Sequence, residues 1–292
     1  MRPQEGLFHS PGAYSGVAVL RLVRNAARTH LREVLSALHA ELSANSALHS
    51  VLALEPALLP EAPPVDPAPL PLEGRTTRFP STQAQVLLQV AATGREPLLW
   101  ALRRTTALCA GVLSLQEEVL GGRIGEGREP FGFRDGLRTP SCEEIQRHAI
   151  VASGPLAGAS WLLYLRFLQD LQRFARLRPH AQERVIGRTR DGEALPLPPA
   201  GAHVVRARAG AGENRLLIRR GFPFRHHGEE GLAFLSATAE PGHHRRSLEA
   251  LLGQGDTPPD ALLRYATAVG GGLYLAPPHD WFHPPPRQEA SP

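Results

Sequence analysis

The segment GEGREPFGFRDGLRTP, residues 125–140, sets a single aspartate, Asp135, among Gly, Pro and Phe. A carboxylate held against Phe131 and Phe133 is shielded from bulk water, and that desolvation raises the pKa of an acid. Such a group can take up a proton and return it during a reaction. Gly132 and Gly136 flank the site and permit backbone geometry and close ligand approach that other residues resist. An ordinary Asp-Gly turn explains the same residues, so the local chemistry leaves both readings open.

His203 closes the proline-rich run PLPPAGAH and is followed by Val204 and Val205. Of the thirteen histidines it has the least solvated sequence context. A neutral imidazole there suits either a metal or haem-iron ligand or a satisfied core histidine. Arg219 and Arg220 end the apolar run RLLIRRG. Alternation turns one of the two inward, where a guanidinium needs an anion, unless the strand simply ends in solvent. VGGGLYLAPP, residues 269–278, reads as a bulge and strand or as backbone passing close to a flat ligand. The pairs His226–His227 and His243–His244 lie in polar sequence and are expected on the surface, without a convincing zinc-ligand spacing.

The elements that must position these residues follow from periodicity. Strands are expected at 14–23, 84–93 and 111–121, helices at 24–42 and 95–110, with a proline-dense extended loop over 54–74. Strand, helix, loop, strand, helix, strand is the skeleton of a ferredoxin-like α+β unit. After residue 140 the same grammar returns. Strands are expected at 159–167, 215–221, 231–240 and 269–278, and helices at 168–177 and 243–253. The reading is α+β, two ferredoxin-like domains at 1–145 and 146–280, and a tail over 281–292.

Composition sets the outer limits. The chain has 292 residues, 42% hydrophobic and 21% charged, with a net charge of +4, as expected for a folded globular protein of about two domains. That mild positive balance comes with no nucleic-acid-reading motif, so no nucleic-acid partner is expected. Two cysteines, Cys109 and Cys142, form no disulfide framework and point to a reducing compartment. No apolar run is long enough to span a bilayer, and the N-terminal sequence does not read as a signal peptide. The expected location is the cytoplasm, with no membrane partner.

EPFGFRDG followed by Thr-Pro resembles the GxxDG signature of dye-decolorizing (DyP-type) haem peroxidases. Further segments resemble that family in its order: GPLAGASWLLYLRFLQDLQRFARL, ERVIGRTRDGEALPL, GAHVVRAR, RLLIRRGFPF, GLAFLSATAE and VGGGLYLAPP. The resemblance runs over residues 125–278. It implies two ferredoxin-like domains, with one b-type haem held mainly by the C-terminal one. By the same resemblance His203 is the proximal iron ligand, Asp135 the distal acid-base residue and Arg219 its distal partner. Haem contacts are implied for Arg206, Gly132, Gly136, Phe133 and Leu235, and Glu240 is a candidate acceptor for the second ring nitrogen of His203. The implied substrates are hydrogen peroxide and an organic reductant such as a dye or phenol, and a homo-oligomer is compatible with the family.

This sequence also departs from the family. Ala207, Arg208 and Ala209 replace the Asn-Pro that follows the haem ligand, and Ala237 stands where many members carry an aromatic residue. Two other functions remain: a haem-binding or haem-processing protein of the same fold without dye turnover, and a cofactor-free α+β module that binds an anionic partner.

Overall fold

The computed structural model describes the chain except residues 25–27, 124–126, 136, 211–216, 227 and 284–292. Eight strands carry the fold: β1 (Tyr14–Leu22), β2 (Leu48–Leu54), β3 (Val86–Ala92), β4 (Leu113–Gly121), β5 (Ser160–Gln169), β6 (Phe222–His226), β7 (Glu229–Thr238) and β8 (Ala266–Ala276). Among them run α1 (Arg28–Ala44), α2 (Arg95–Leu108), α3 (Cys142–Ala149), α4 (Leu171–Ala175), α5 (Pro179–Ile186), α6 (His203–Ala209) and α7 (Pro241–Leu252).

The strands pair antiparallel in the order β5-β8-β2-β3-β1-β4-β6-β7, and β7 pairs back onto β5. The sheet is therefore a closed, barrel-like ring. Each half of it repeats one pattern, strand-helix-strand-strand-helix-strand, with spatial order 4-1-3-2 among its own four strands. The halves meet at two narrow seams, Leu275 opposite Leu54 and Gly121 opposite Phe224.

Period-2 alternation explains the ring. Every strand sends one face inward: Val17 and Val19, Val51 and Ala53, Leu87, Val119, Leu162 and Tyr164, Phe222 and Phe224, Ala233, Leu235 and Ala237, Tyr274 and Ala276 form one buried cluster. The opposite face of the N-terminal half packs under Leu31, Leu35, Leu38 and Leu42 of α1. Those four leucines follow helical spacing. Outside the C-terminal half, Leu163, Leu165 and Phe167 pack with Phe131, Phe133, Phe174, Val204, Leu248 and Leu252.

Several expectations shift. β2, absent from the sequence reading, supplies the fourth strand of the first half. The expected strand at 215–221 is described only as the pair Ile218–Arg219, residues 215 and 216 lying outside the described residues, while β6 begins at Phe222. The helix expected at 168–177 is the short α4 followed by α5. The expected tail does not begin at 281. Phe282 is fully buried against α1, and His279–Phe282 form a 3-10 turn. No helix among the described residues is long and apolar enough to cross a membrane.

Candidate active site

His203 is the first residue of α6. The turn that delivers it is fixed by the Ala202 amide donating to the Pro199 carbonyl at 2.9 Å, and Val204 anchors the helix in the outer core. The imidazole Nδ1 lies 2.6 Å from Oδ2 of Asp260, a residue almost wholly buried. Asp260 is itself held. Its other oxygen accepts from the Leu262 amide at 2.9 Å, and its own amide donates to the Leu251 carbonyl at 2.8 Å. With Nδ1 committed to a carboxylate, Nε2 is the nitrogen left for a metal, and the His203 side chain keeps about a third of its surface accessible.

Arg219 is reached from the ring. Ile218 and Arg219 pair with Ala237 and Ser236 of β7, and Ile218 lies in the inner cluster, so Arg219 points to the outer face. There it touches solvent, yet the protein packed around it desolvates the guanidinium and lowers its pKa. Asp135, Arg188 and Asp260 lie close enough for their charges to act on Arg219. Arg188 in turn feels Asp135 and Arg208, and desolvation by the surrounding protein, the leading cause, lowers its pKa. One neighbourhood therefore gathers His203, Asp260, Arg219, Asp135, Arg188 and Arg208.

Asp135 enters it from a small loop with a close counterpart. Arg128 bridges Arg134, and Arg188 bridges Ala194 in the same way. The two loops are stitched together by Arg134 donating to the Arg190 carbonyl at 3.0 Å and by Arg128 reaching Asp191 at 2.8 Å. Asp135 itself is exposed, its amide bonded to the Gly127 carbonyl. The carboxylate that the phenylalanines shield is Glu129. It accepts the amides of Phe131 and Phe133 at 3.0 and 3.1 Å, and burial pushes its pKa up to about 7.

The remaining expected contacts are placed as follows. Phe131 and Phe133 pack on Phe174 in the outer core. Gly132, with φ of 86°, faces Arg190, whose Nη1 would lie 2.6 Å from an added Cβ. Gly136 is outside the described residues. Leu235 and Ala237 face the ring interior; Leu232 and Phe234, one residue out of phase, face the outer core. Arg206 is buried and donates from Nε and Nη2 to the Ala250 carbonyl at 2.9 and 2.6 Å. Glu240 accepts from Arg246 at 3.0 Å, so the acceptor for His203 is Asp260 instead. The triple glycine serves strand packing: a Cβ on Gly271 would run into the Tyr164 carbonyl of β5. His243 and His244 are buried, not exposed, and His244 bridges Ser236 and the Trp161 carbonyl.

Residues 126–281, more than half of the chain, match the model of the Dyp-type peroxidase family, C-terminal part. The chain belongs to the Dyp-type peroxidase family. It is 29% identical over 226 residues to the dye-decolorizing peroxidase of Mycolicibacterium paratuberculosis, covering 74% of this chain and 64% of that relative. The dye-decolorizing peroxidase of Mycobacterium tuberculosis is 28% identical over 231 residues, 75% of this chain and 69% of the relative. Among solved structures, a dye-decolorizing protein from V. cholerae superposes with a TM-score of 0.82 at 29% identity, covering 93% of this chain and 96% of that one. A Rhodococcus jostii DypB variant in complex with heme shares the fold at a TM-score of 0.86 and 22% identity, over 96% and 97% of the two chains.

Proposed function

We propose that this Dyp-type chain is a haem b peroxidase that reduces hydrogen peroxide and oxidises an organic reductant such as a dye or phenol. The observation that carries the reading is the His203–Asp260 pair at 2.6 Å, with Arg219 near enough to feel the charges of both Asp260 and Asp135. The donor set fits the cofactor. A buried carboxylate fixes the tautomer of a partly accessible imidazole, as iron ligation requires. Arg208 adds like charge beside the partly desolvated Arg188, an arrangement that suits an anion, and haem carries two carboxylates.

Bound haem supplies the redox chemistry, by which peroxide takes up two electrons and two protons to give two waters. The chain's residues hold, orient and move protons. His203 would hold the haem iron through Nε2, with its Nδ1–H donated to Asp260, whose charge would increase the donor strength of the ring. Asp135 would act as the proton carrier, accepting a proton from hydrogen peroxide and returning one to the oxygen that leaves as water. Arg219 does not exchange a proton, since its guanidinium stays charged; it places fixed positive charge where anionic character develops. Asp135 and Arg219 come from opposite sides of one seam of the ring, Asp135 after β4 and Arg219 before β6.

The two repeats of order 4-1-3-2 support the view that the chain is two ferredoxin-like domains, 1–145 and 146–280, joined edge to edge. The cytoplasm is the proposed location. An encapsulated Dyp-type peroxidase of Mycobacterium smegmatis, of like fold at a TM-score of 0.87, supports assembly into a homo-oligomer. The test is the absorption spectrum of protein produced with ample iron and haem precursor, taken before and after peroxide. A histidine-ligated ferric spectrum that changes on peroxide addition and returns with a dye as reductant is expected. Protein that stays colourless and rejects added haemin overturns the reading.

A further inference from the structure

Apart from the residues around His203, three histidines converge where the two ends of the described chain meet. His39 lies on the inner side of α1 and is almost wholly buried. His279 opens the 3-10 turn that follows β8 and His283 lies just after it, an H-x3-H spacing with the ring centroids 4.7 Å apart. Nε2 of His39 is 3.0 Å from Nδ1 of His279. One ring nitrogen from each of the three lies within 4.8 Å of the others.

The surroundings hold this arrangement in place. Phe282 stacks on His39 at 4.1 Å, and the guanidinium of Arg32 lies 4.8 Å over the Trp281 ring while bonding the Trp281 carbonyl. The His279 amide donates to the Arg2 carbonyl at 2.7 Å, and the Arg2 amide donates to Asp280 at 3.0 Å. Nε2 is the His39 nitrogen that faces the other two rings, while its Nδ1 is buried with no hydrogen-bond partner among the described residues.

From these contacts we infer that His39, His279 and His283 bind a divalent transition-metal ion of the zinc class, with water completing the shell. Three neutral imidazoles at Zn–N distances of about 2.0–2.1 Å require ligand nitrogens roughly 3.3 Å apart in a tetrahedron. The 3.0 Å pair is close to that spacing, and a ring nitrogen of His283, exposed at the end of the turn, lies within 4.8 Å of both. Imidazole-rich sets suit zinc, copper and nickel over magnesium or calcium. The ion would tie α1 to the segment after β8, residues 240 positions apart in sequence.

Calorimetric titration of haem-loaded protein with zinc chloride tests this, without reading peroxidase activity. One equivalent of zinc is expected to bind and to raise the melting temperature, with the rise lost on chelation. His279→Gln and His283→Gln, at accessible positions that spare the buried helix, should each weaken that binding at least about tenfold. His49→Gln, in the separate surface group of Glu5, His9 and His49, should leave it unchanged. Zinc binding that survives both His279→Gln and His283→Gln, binding lost only with His49→Gln, or no binding at all would each overturn the assignment.

Discussion

Nδ1 of His203 and Oδ2 of Asp260 stand 2.6 Å apart across 57 positions of sequence, and the carboxylate is buried while the imidazole is not. An acceptor so enclosed cannot be exchanged for water, so it governs the orientation and the basicity of the ring. Asp260→Asn is therefore expected to keep haem but raise the ferric/ferrous midpoint potential by tens of millivolts, since a charged partner favours the more oxidised iron. Spectroelectrochemical titration of the two holoproteins measures it, and identical potentials would remove Asp260 from the proximal role.

For Asp135, the expectation concerns rate. Asp135→Asn should slow the reaction of the holoprotein with peroxide by at least about a hundredfold, the low end for a lost acid-base group. Stopped-flow mixing at several peroxide concentrations reads the second-order constant directly. A variant as fast as the parent would mean that the proton travels by another group.

Arg219 and Arg220 are sequence neighbours with opposite duties. Arg220 is buried and donates to the Leu7 and Gly6 carbonyls at 2.7 and 2.6 Å and to Gln89 at 3.1 Å. Arg220→Leu orphans these acceptors and should cost about 3 kcal/mol or more of stability. Arg219→Leu should unfold at nearly the parent denaturant concentration while losing about a hundredfold in peroxide reactivity. Chemical denaturation and stopped-flow kinetics on both variants give the comparison; equal losses of stability would contradict the division.

Glu129 makes stability depend on pH in an unusual direction. Its folded pKa, about 7, lies above the unfolded value of 4.5. The folded state thus holds the extra proton between those values, and stability falls as pH rises from about 4.5 to 7. The full effect is about 3 kcal/mol, already lost above pH 7. Glu129→Gln should flatten this part of the profile and stabilise the protein at pH 8 relative to the parent. Urea unfolding from pH 5 to pH 8 decides it, and parallel profiles for the two proteins would show that Glu129 is ionised throughout.

The sequence exposed what is written locally and concealed what is brought together over distance. Asp135, His203 and Arg219 each sit in a short segment whose residue types suggest chemistry, and those segments were readable one at a time. Asp260 lies in DTPPDALLR, where it looks like the cap of a short turn, a role it also fills through the Leu262 amide. Its bond to His203 depends on how α6 packs against α7. Sequence spacing sets Asp135 beside Phe131 and Phe133 but does not tell which carboxylate a tight turn folds over its own amides; Glu129 does so. Alternation along β7 did contain the answer for Leu235. It shares its parity with Ala233 and Ala237 rather than with Leu232 and Phe234, so it belongs to the ring interior. β2 was lost because its apolar residues run directly into the proline-dense loop.

The ring's contact at Gly121 carries more than closure. The strand that ends there leads to the loop bearing Asp135, and the strand opposite begins just after Arg219. A Cβ at position 121 would press into the carbonyl of Pro223. Bulk introduced at this glycine would prise the two edges apart and shift Asp135 and Arg219, the proposed proton carrier and fixed charge, relative to each other from a place that touches neither.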